Sequence, residues 1–317
     1  HTVRSVGMAM ALQGSGISGL DVGSVQLKLN DDGFYTLMIG CSDMGTGCDT
    51  ILAQMAADGL GCDMDNIIVR GVDTDQSPYD SGSYASSTTY VTGGAVVKAC
   101  ESMRKRICEE AAAIMGLKSG EVDFDGETIS ENDNPEHSMT LSDLITSLEA
   151  GNGRIIEVTE SHTSPVSPPP FMAGAAEIEV DLETGKITPI NYVAAVDCGT
   201  VINTNLARIQ TEGGIVQGMG MTLYEDVQYT EAGKMKNRNF MSYKIPTRLD
   251  MGSISVEFES SYEQTGPYGA KSIGEIVINT PAPAIADAVY NATGLRFRTL
   301  PITAEQVMMG LLEREEA

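Results

Sequence analysis

Residues Ser164-Pro-Val-Ser-Pro-Pro-Pro170 place four prolines in seven positions, three of them consecutive. Proline fixes φ and has no backbone N–H, so neither a helix interior nor a central strand can run through this stretch. Three prolines in a row make a stiff, extended connector. The 317-residue chain is therefore read as two segments, 1–163 and 164–317. Each is long enough to bury a core of its own. The connector either bridges two lobes or crosses the surface of one domain.

On either side of it the apolar residues mark short elements. Val25, Leu27 and Leu29 alternate with polar residues, and Asp31-Asp32-Gly33 turns the chain into Tyr35, Leu37 and Ile39. That pattern predicts a β-hairpin. Helical spacing predicts helices over 49–60, 94–115, 206–224, 282–293 and 303–315, the fourth entered through Pro281 and Pro283. Strands are expected at 67–69, 175–181, 187–196 and 253–258. The polar stretch 118–152 reads as turns with one short helix near 141–148. The fold class is α+β, arranged as two mixed α/β lobes.

Formal net charge is -24, from 44 acidic and 20 basic residues. Such a surface repels phosphate backbones and anionic lipid, which argues against nucleic-acid and membrane partners. No apolar run reaches the ~18 to 20 residues of a membrane span, and no secretory leader is evident at the N-terminus. The six cysteines (41, 48, 62, 100, 108 and 198) contain no C-x-x-C pair. A zinc or iron–sulfur site made by this chain alone is not expected, and reduced cytoplasmic thiols are. With three histidines, none near another Cys or His, a His-based metal site is not expected, and a bound metal would not be ligated directly by the protein.

Five glycine-rich turns interrupt the regular elements. Asp43-Met-Gly-Thr-Gly-Cys-Asp49 opens a helix, where free backbone N–H groups suit an anion. Ser81-Gly-Ser-Tyr-Ala-Ser-Ser-Thr-Thr89 is almost wholly small or hydroxylated. Asp197-Cys-Gly-Thr-Val-Ile-Asn203 ends an apolar strand. Gly213-Gly-Ile-Val-Gln-Gly-Met-Gly220 carries four glycines inside a helix, a propensity cost of ~3 to 4 kcal/mol against alanine. Either a ligand approaches that backbone closely or a second helix does. In Gly266-Pro-Tyr-Gly-Ala-Lys-Ser-Ile-Gly-Glu275, a single glutamate among glycines is either a desolvated carboxylate of raised pKa or a helix cap. Together the turns suit a large polar ligand gripped by backbone amides and small side chains.

The strings Met44-Gly-Thr-Gly-Cys-Asp49, Ser83-Tyr-Ala-Ser-Ser-Thr88, Asp197-Cys-Gly-Thr-Val-Ile-Asn203, Glu212-Gly-Gly-Ile-Val-Gln-Gly-Met-Gly220 and Gly269-Ala-Lys-Ser-Ile-Gly-Glu275 resemble, in order, the molybdenum hydroxylases of the xanthine dehydrogenase and aldehyde oxidoreductase family. The resemblance covers the second half of the molybdopterin-binding region. It is closest to the medium molybdopterin subunit of bacterial nicotinate dehydrogenase. It implies the family's molybdenum-cofactor-binding fold and a catalytic subunit split over two chains. A large molybdopterin subunit would supply the rest of the site, and separate iron–sulfur and FAD subunits would carry two [2Fe–2S] clusters and FAD. The cofactor implied is molybdenum–molybdopterin cytosine dinucleotide, with the metal held by the pterin dithiolene and not by side chains.

By the same resemblance Glu275 is the general base that activates a water-derived oxygen. Gly45, Thr46, Gly47 and Asp49 would approach the pterin dinucleotide. Ser83, Tyr84, Ala85, Ser86 and Thr88 would line the cofactor and the substrate side of the metal. Gly199 and Asn203 would hold the nucleotide end, and Gln217 would lie near the pterin or the metal. Thr46 stands where many family members have Gln, Ser272 where Gly is frequent, and Tyr84 where a small residue is common. The expected reaction is hydroxylation of an N-heteroaromatic carboxylate, nicotinate to 6-hydroxynicotinate. The alternatives are a purine or an aldehyde as substrate, or a non-catalytic scaffold subunit.

Overall fold

The first strand, β1 (Thr2–Leu12), has no clean apolar–polar alternation and is not among the expected elements. The computed structural model describes residues 1–316. After β1 the expected hairpin forms as β2 (Gly23–Leu29) and β3 (Tyr35–Ile39), followed by α1 (Cys48–Leu60), β4 (Ile67–Arg70) and α2 (Thr88–Met115). The polar stretch folds into β5 (Val122–Phe124), β6 (Thr128–Glu131), β7 (Asn134–Thr140) and α3 (Leu141–Asn152), leading to β8 (Ile156–His162). Beyond the proline run come β9 (Phe171–Asp181), β10 (Ile187–Asp197), α4 (Thr204–Leu223), β11 (Ser253–Phe258), α5 (Ile276–Asn279), α6 (Pro281–Thr293) and α7 (Ala304–Glu316).

Contacts divide the chain into two compact units, neither of them continuous in sequence. The terminal unit comprises His1–Gln13, Pro169–Ser261 and the chain from Ile273 on; the internal unit comprises Gly14–Pro168 and Tyr262–Ser272. A single cut at 163/164 is therefore too simple. One break does fall inside the proline run, but β1 belongs with the second half and residues 262–272 with the first.

The terminal unit is built on a four-stranded sheet of order β1-β9-β10-β11, antiparallel except for the β10–β11 pair. One face of this sheet is covered by α6 and α4. Its core includes Ile178, Val180, Tyr192, Val196, Ile215, Met219, Ile276, Ile285 and Val289, each almost fully buried. Burying each of the large aliphatic side chains is worth ~1.5–3 kcal/mol. Helix α6 seats directly on β1 because position 7 lacks a side chain: a Cβ there would lie 2.2 Å from the Ala284 carbonyl oxygen. The opposite side of β1 presents Val6, Met8, Met10 and Leu12 to solvent, with Met10 81% exposed.

The internal unit packs α1 and α2 on a sheet of order β4-β3-β2-β8. Its core joins Leu27, Leu37, Leu52, Met55, Val96, Met103 and Ile107. With the buried Cys100, those on α2 recur at three- to four-residue spacing, which makes one buried stripe. Helix α2 starts at Thr88, six residues before the expected Gly94, and ends at Gly116 in the left-handed region (φ 75°). The small sheet β5-β6-β7 replaces the expected turns. Among the described residues no helix is long and apolar enough to cross a membrane.

Candidate functional site

The glycine loop before α1 closes on its own aspartate. Asp43 Oδ1 accepts the amides of Gly45 (2.8 Å) and Gly47 (3.2 Å), and Oδ2 accepts that of Asp49 (3.4 Å). Gly45 (φ 100°) and Gly47 (φ 79°) supply the left-handed backbone this ring needs. Slight burial works against the Asp43 carboxylate, but the amides of Gly45, Gly47, Asp49 and Thr46 outweigh it and hold its pKa below the usual value. Asp49 is shifted up, by its own burial and by the Asp43 charge. The expectation of open amides at this helix start is thus corrected: three of them already bind Asp43. The signal was present as an aspartate two residues before a glycine, a common turn pattern. Asp43, Asp49 and the buried Cys48 bring one ligand-type atom each within 4.8 Å of one another, the one such group among the described residues. All six cysteines are free thiols.

The serine-rich loop before α2 is strained. Ala85 (φ 50°) and Ser86 (φ 55°) both occupy the left-handed region, at ~1–2 kcal/mol per residue for side-chain-bearing residues. Three hydrogen bonds hold the loop there. Gly16 N–H donates to the Ala85 carbonyl (2.8 Å), Ser87 N–H to the Tyr84 carbonyl (3.1 Å), and Ser87 Oγ to the Gly82 carbonyl (2.8 Å). Ser83 Oγ donates to the Ser42 carbonyl (3.3 Å), joining this loop to the one before α1. Tyr84 is half exposed, with its phenol pushed up by the neighbouring Asp21 carboxylate. Thr88, the first residue of α2, has its hydroxyl oxygen buried without a hydrogen-bond partner among the described residues. Ser272 Oγ, also in the internal unit, is a second such orphan, while its backbone N–H donates to Ser15 Oγ (3.2 Å). Tyr268, four residues earlier, is a third left-handed non-glycine residue (φ 53°). A buried hydroxyl with no partner costs ~1–3 kcal/mol. Orphaned hydroxyls and strained backbone on the expected loops fit a polar ligand with several hydrogen-bonding groups.

In the terminal unit, Gly199 (φ 69°) sits in a turn closed by its N–H donating to Asp197 Oδ1 (3.0 Å). Asn203 caps α4, its Oδ1 accepting the Leu206 amide (3.1 Å). Both therefore have structural work within the chain. Gln217 is exposed on α4. The glycines around it resolve the two readings of that helix. Cβ atoms at Gly214 and Gly218 would lie 2.3 Å from Val277 Cγ2 and 2.7 Å from Pro281 Cγ, so these two glycines let α4 pack against α5 and the start of α6. At Gly213 a Cβ would meet nothing within 4 Å.

Glu275 occupies the N-cap position of the short α5 and is exposed, with no side-chain capping hydrogen bond, so of the readings left open it is a surface carboxylate and not a desolvated one within this chain. Gln13, just past the end of β1, donates from Nε2 to Glu275 Oε2 (3.1 Å). Asn279 donates from Nδ2 to Gln13 Oε1 (3.4 Å). Neither amide is marked by the sequence, because Gln13 lies 262 residues from its partner in no recognisable motif. The expected residues are thus divided between the units: positions 45–49 and 83–88 lie in the internal unit, and Gly199, Asn203, Gln217 and Glu275 in the terminal one.

A family model described as a molybdopterin cofactor-binding domain matches residues 1–252. A probable hypoxanthine oxidase of Escherichia coli (strain K12) is 33% identical over 310 residues, covering 96% of this chain and 32% of the relative. The nicotine 6-hydroxylase large subunit of Paenarthrobacter nicotinovorans is 28% identical over 313 residues, covering 94% of this chain and 38% of the relative. The chain thus spans little more than a third of the length of such curated relatives. Among solved structures, quinoline 2-oxidoreductase of Pseudomonas putida 86 superposes with a TM-score of 0.89 at 24% identity, over 98% of this chain and 42% of that one. At that identity the likeness speaks for the fold.

Proposed function

The chain belongs to the molybdopterin cofactor-binding domain family, and from that premise we propose that it is one part of a molybdenum hydroxylase catalytic subunit, with Glu275 as general base. The observation that carries this reading is Glu275 itself, a carboxylate at the solvent boundary of the terminal unit, anchored by Gln13 at 3.1 Å. When bound, the molybdenum–pterin group, in its cytosine dinucleotide form, supplies oxygen-transfer and two-electron redox chemistry, with the electrons leaving through iron–sulfur clusters to FAD. The chain's own work is to bind and to move a proton. The Glu275 carboxylate takes up the proton of the water-derived nucleophile. The hydroxyls of Thr88 and Ser272 and the strained backbone of Ala85 and Ser86 serve the cofactor, as do Gly45, Thr46, Gly47, Asp49, Ser83 and Tyr84. Gly199 and Asn203 serve its nucleotide end, and Gln217 the pterin or the metal.

The substrate class is an electron-poor ring carbon beside a nitrogen, with nicotinate, hydroxylated to 6-hydroxynicotinate, as the first candidate. A relative named for nicotine 6-hydroxylation supports it. A purine is the second reading, favoured by the 33% identical relative named for hypoxanthine. The split-subunit reading, with a large molybdopterin subunit, an iron–sulfur subunit and an FAD subunit as partners in the cytoplasm, is supported by one surface. The solvent side of β1 is apolar at Val6, Met8, Met10 and Leu12. Apolar patches of this kind mark protein contacts.

Elemental analysis of the co-purifying complex is expected to give about one molybdenum per copy of this chain, and Glu275→Gln to keep that molybdenum while cutting turnover by ~10² or more. Near-normal turnover in Glu275→Gln, or no molybdenum in an intact complex, would overturn the reading.

A further inference from the structure

We propose that Gln13 is a positioning residue for Glu275: its carboxamide, oriented by Asn279, donates one hydrogen bond that aims the carboxylate and keeps it ready to accept a proton. The inference rests on the reading of Glu275 as the base.

The orientation of the Gln13 amide follows from its two neighbours. An ionised carboxylate can only accept hydrogen bonds, so the side of Gln13 that meets Glu275 Oε2 at 3.1 Å must be its NH₂ group. That leaves Gln13 Oε1 to accept, and Asn279 Nδ2 lies 3.4 Å from it. The result is a directional relay, Asn279 to Gln13 to Glu275, with no ambiguity of donor and acceptor. The three residues also come from elements that hold each other in place. Gln13 follows β1, the edge strand carrying α6, and its backbone N–H donates to the Pro170 carbonyl at 3.3 Å. Glu275 and Asn279 flank α5, whose Ile276 and Val277 are buried in the same core.

A glutamate side chain has three rotatable bonds, and on an exposed helix start it would sample several rotamers. A donor at a fixed place selects one of them. Gln13 does this without adding net charge.

The test uses the assembled, molybdenum-loaded complex with Gln13→Leu, Gln13→Glu and Glu275→Gln. Gln13→Leu removes the donor and keeps bulk. It is expected to lower kcat about three- to tenfold with KM little changed. Gln13→Glu is closer in shape but sets a like charge against Glu275, so it is expected to lose more activity than Gln13→Leu. A purely structural role predicts the reverse order, with the near-isosteric variant milder. Molybdenum content and melting temperature, measured beside the kinetics, identify any variant that has failed to fold. Asn279→Leu then serves as the second probe, expected to lower kcat in the same direction by a smaller factor with KM little changed. An unchanged kcat in Gln13→Leu, with Glu275→Gln inactive, overturns this proposal and leaves the proposed function standing. Near-normal turnover in Glu275→Gln overturns both.

Discussion

Replacing Gly218 by alanine would place a methyl carbon 2.7 Å from Pro281 Cγ, 2.9 Å from Pro281 Cβ and 2.9 Å from the Ile278 carbonyl oxygen. Comfortable contacts of this kind lie at ~3.5–4.0 Å. Either α4 or the Ile278–Pro281 corner must therefore move by roughly 1 Å. Neither neighbour yields easily, since one is a ring fixed at the start of α6 and the other is main chain. Overpacking of this kind costs ~1–3 kcal/mol, offset by ~1 kcal/mol from alanine's better helix propensity. The net expectation is a loss of up to ~2 kcal/mol. Gly213, on the same helix, offers the internal control, because alanine there meets nothing within 4 Å and keeps the propensity gain of ~0.5–1 kcal/mol. The assay is the melting temperature of the assembled complex, where 1 kcal/mol is worth ~2 °C. Gly218→Ala should melt below wild type and Gly213→Ala at or above it. The displaced corner also carries α5, so Gly218→Ala should lose turnover at unchanged molybdenum content. Equal melting temperatures for the two variants would refute the packing account of these glycines.

Two further outcomes follow from other parts of the site. Thr88→Val removes a buried hydroxyl with no partner among the described residues. It should leave the cofactor-free protein as stable or ~1 kcal/mol more so while molybdenum is lost faster on dialysis, and unaltered retention would count against Thr88 as a cofactor contact. Asp43 has a folded-state pKa below its unfolded value. Its contribution to the loop before α1 is therefore full above about pH 4 and lost as pH falls through the lower folded value. Hydrogen exchange in a peptide spanning the loop should show protection failing only in that acid window, and Asp43→Asn should abolish the pH dependence; identical profiles for the two proteins would contradict it.

The hairpin of β2 and β3 was legible because Val25, Leu27, Leu37 and Ile39 all face the core, and Asn30 to Phe34 closes the turn with one backbone hydrogen bond. Helix α6 was legible because Pro281 starts it and Gly294 ends it. Strand β1 was not, since Met8 and Met10 on its open side are as apolar as the residues on its covered side, and alternation then carries no signal. The strands β5 to β7 were hidden by polar residues, because β7 lies mostly in solvent. At the site, the loops and Glu275 could be picked out as glycine-marked strings. Their state was legible only in part: the Asp43 turn has a local pattern, whereas whether a carboxylate is buried or anchored by Gln13 is decided by a partner that no local pattern names. The α4 glycines show the same limit, because their role depends on Val277 and Pro281, some sixty residues further along the chain.

The pairing of β1 with β9 joins Thr2 to Asp181 and Leu12 to Phe171. A strand made at the very start of this sequence has its neighbour only after some 160 further residues have been added. At ~5–20 residues per second of synthesis, that is a wait on the order of ten to thirty seconds. Throughout it Val6, Met8, Met10 and Leu12 are attached to a strand still without its β9 partner, an arrangement prone to pairing with a stranger. Nor does the intervening stretch complete itself first, since residues 262–272 belong to it and are made later still. The interleaving of the two units keeps both open until those residues are made, and ties the yield of native protein to whatever shields β1 until then.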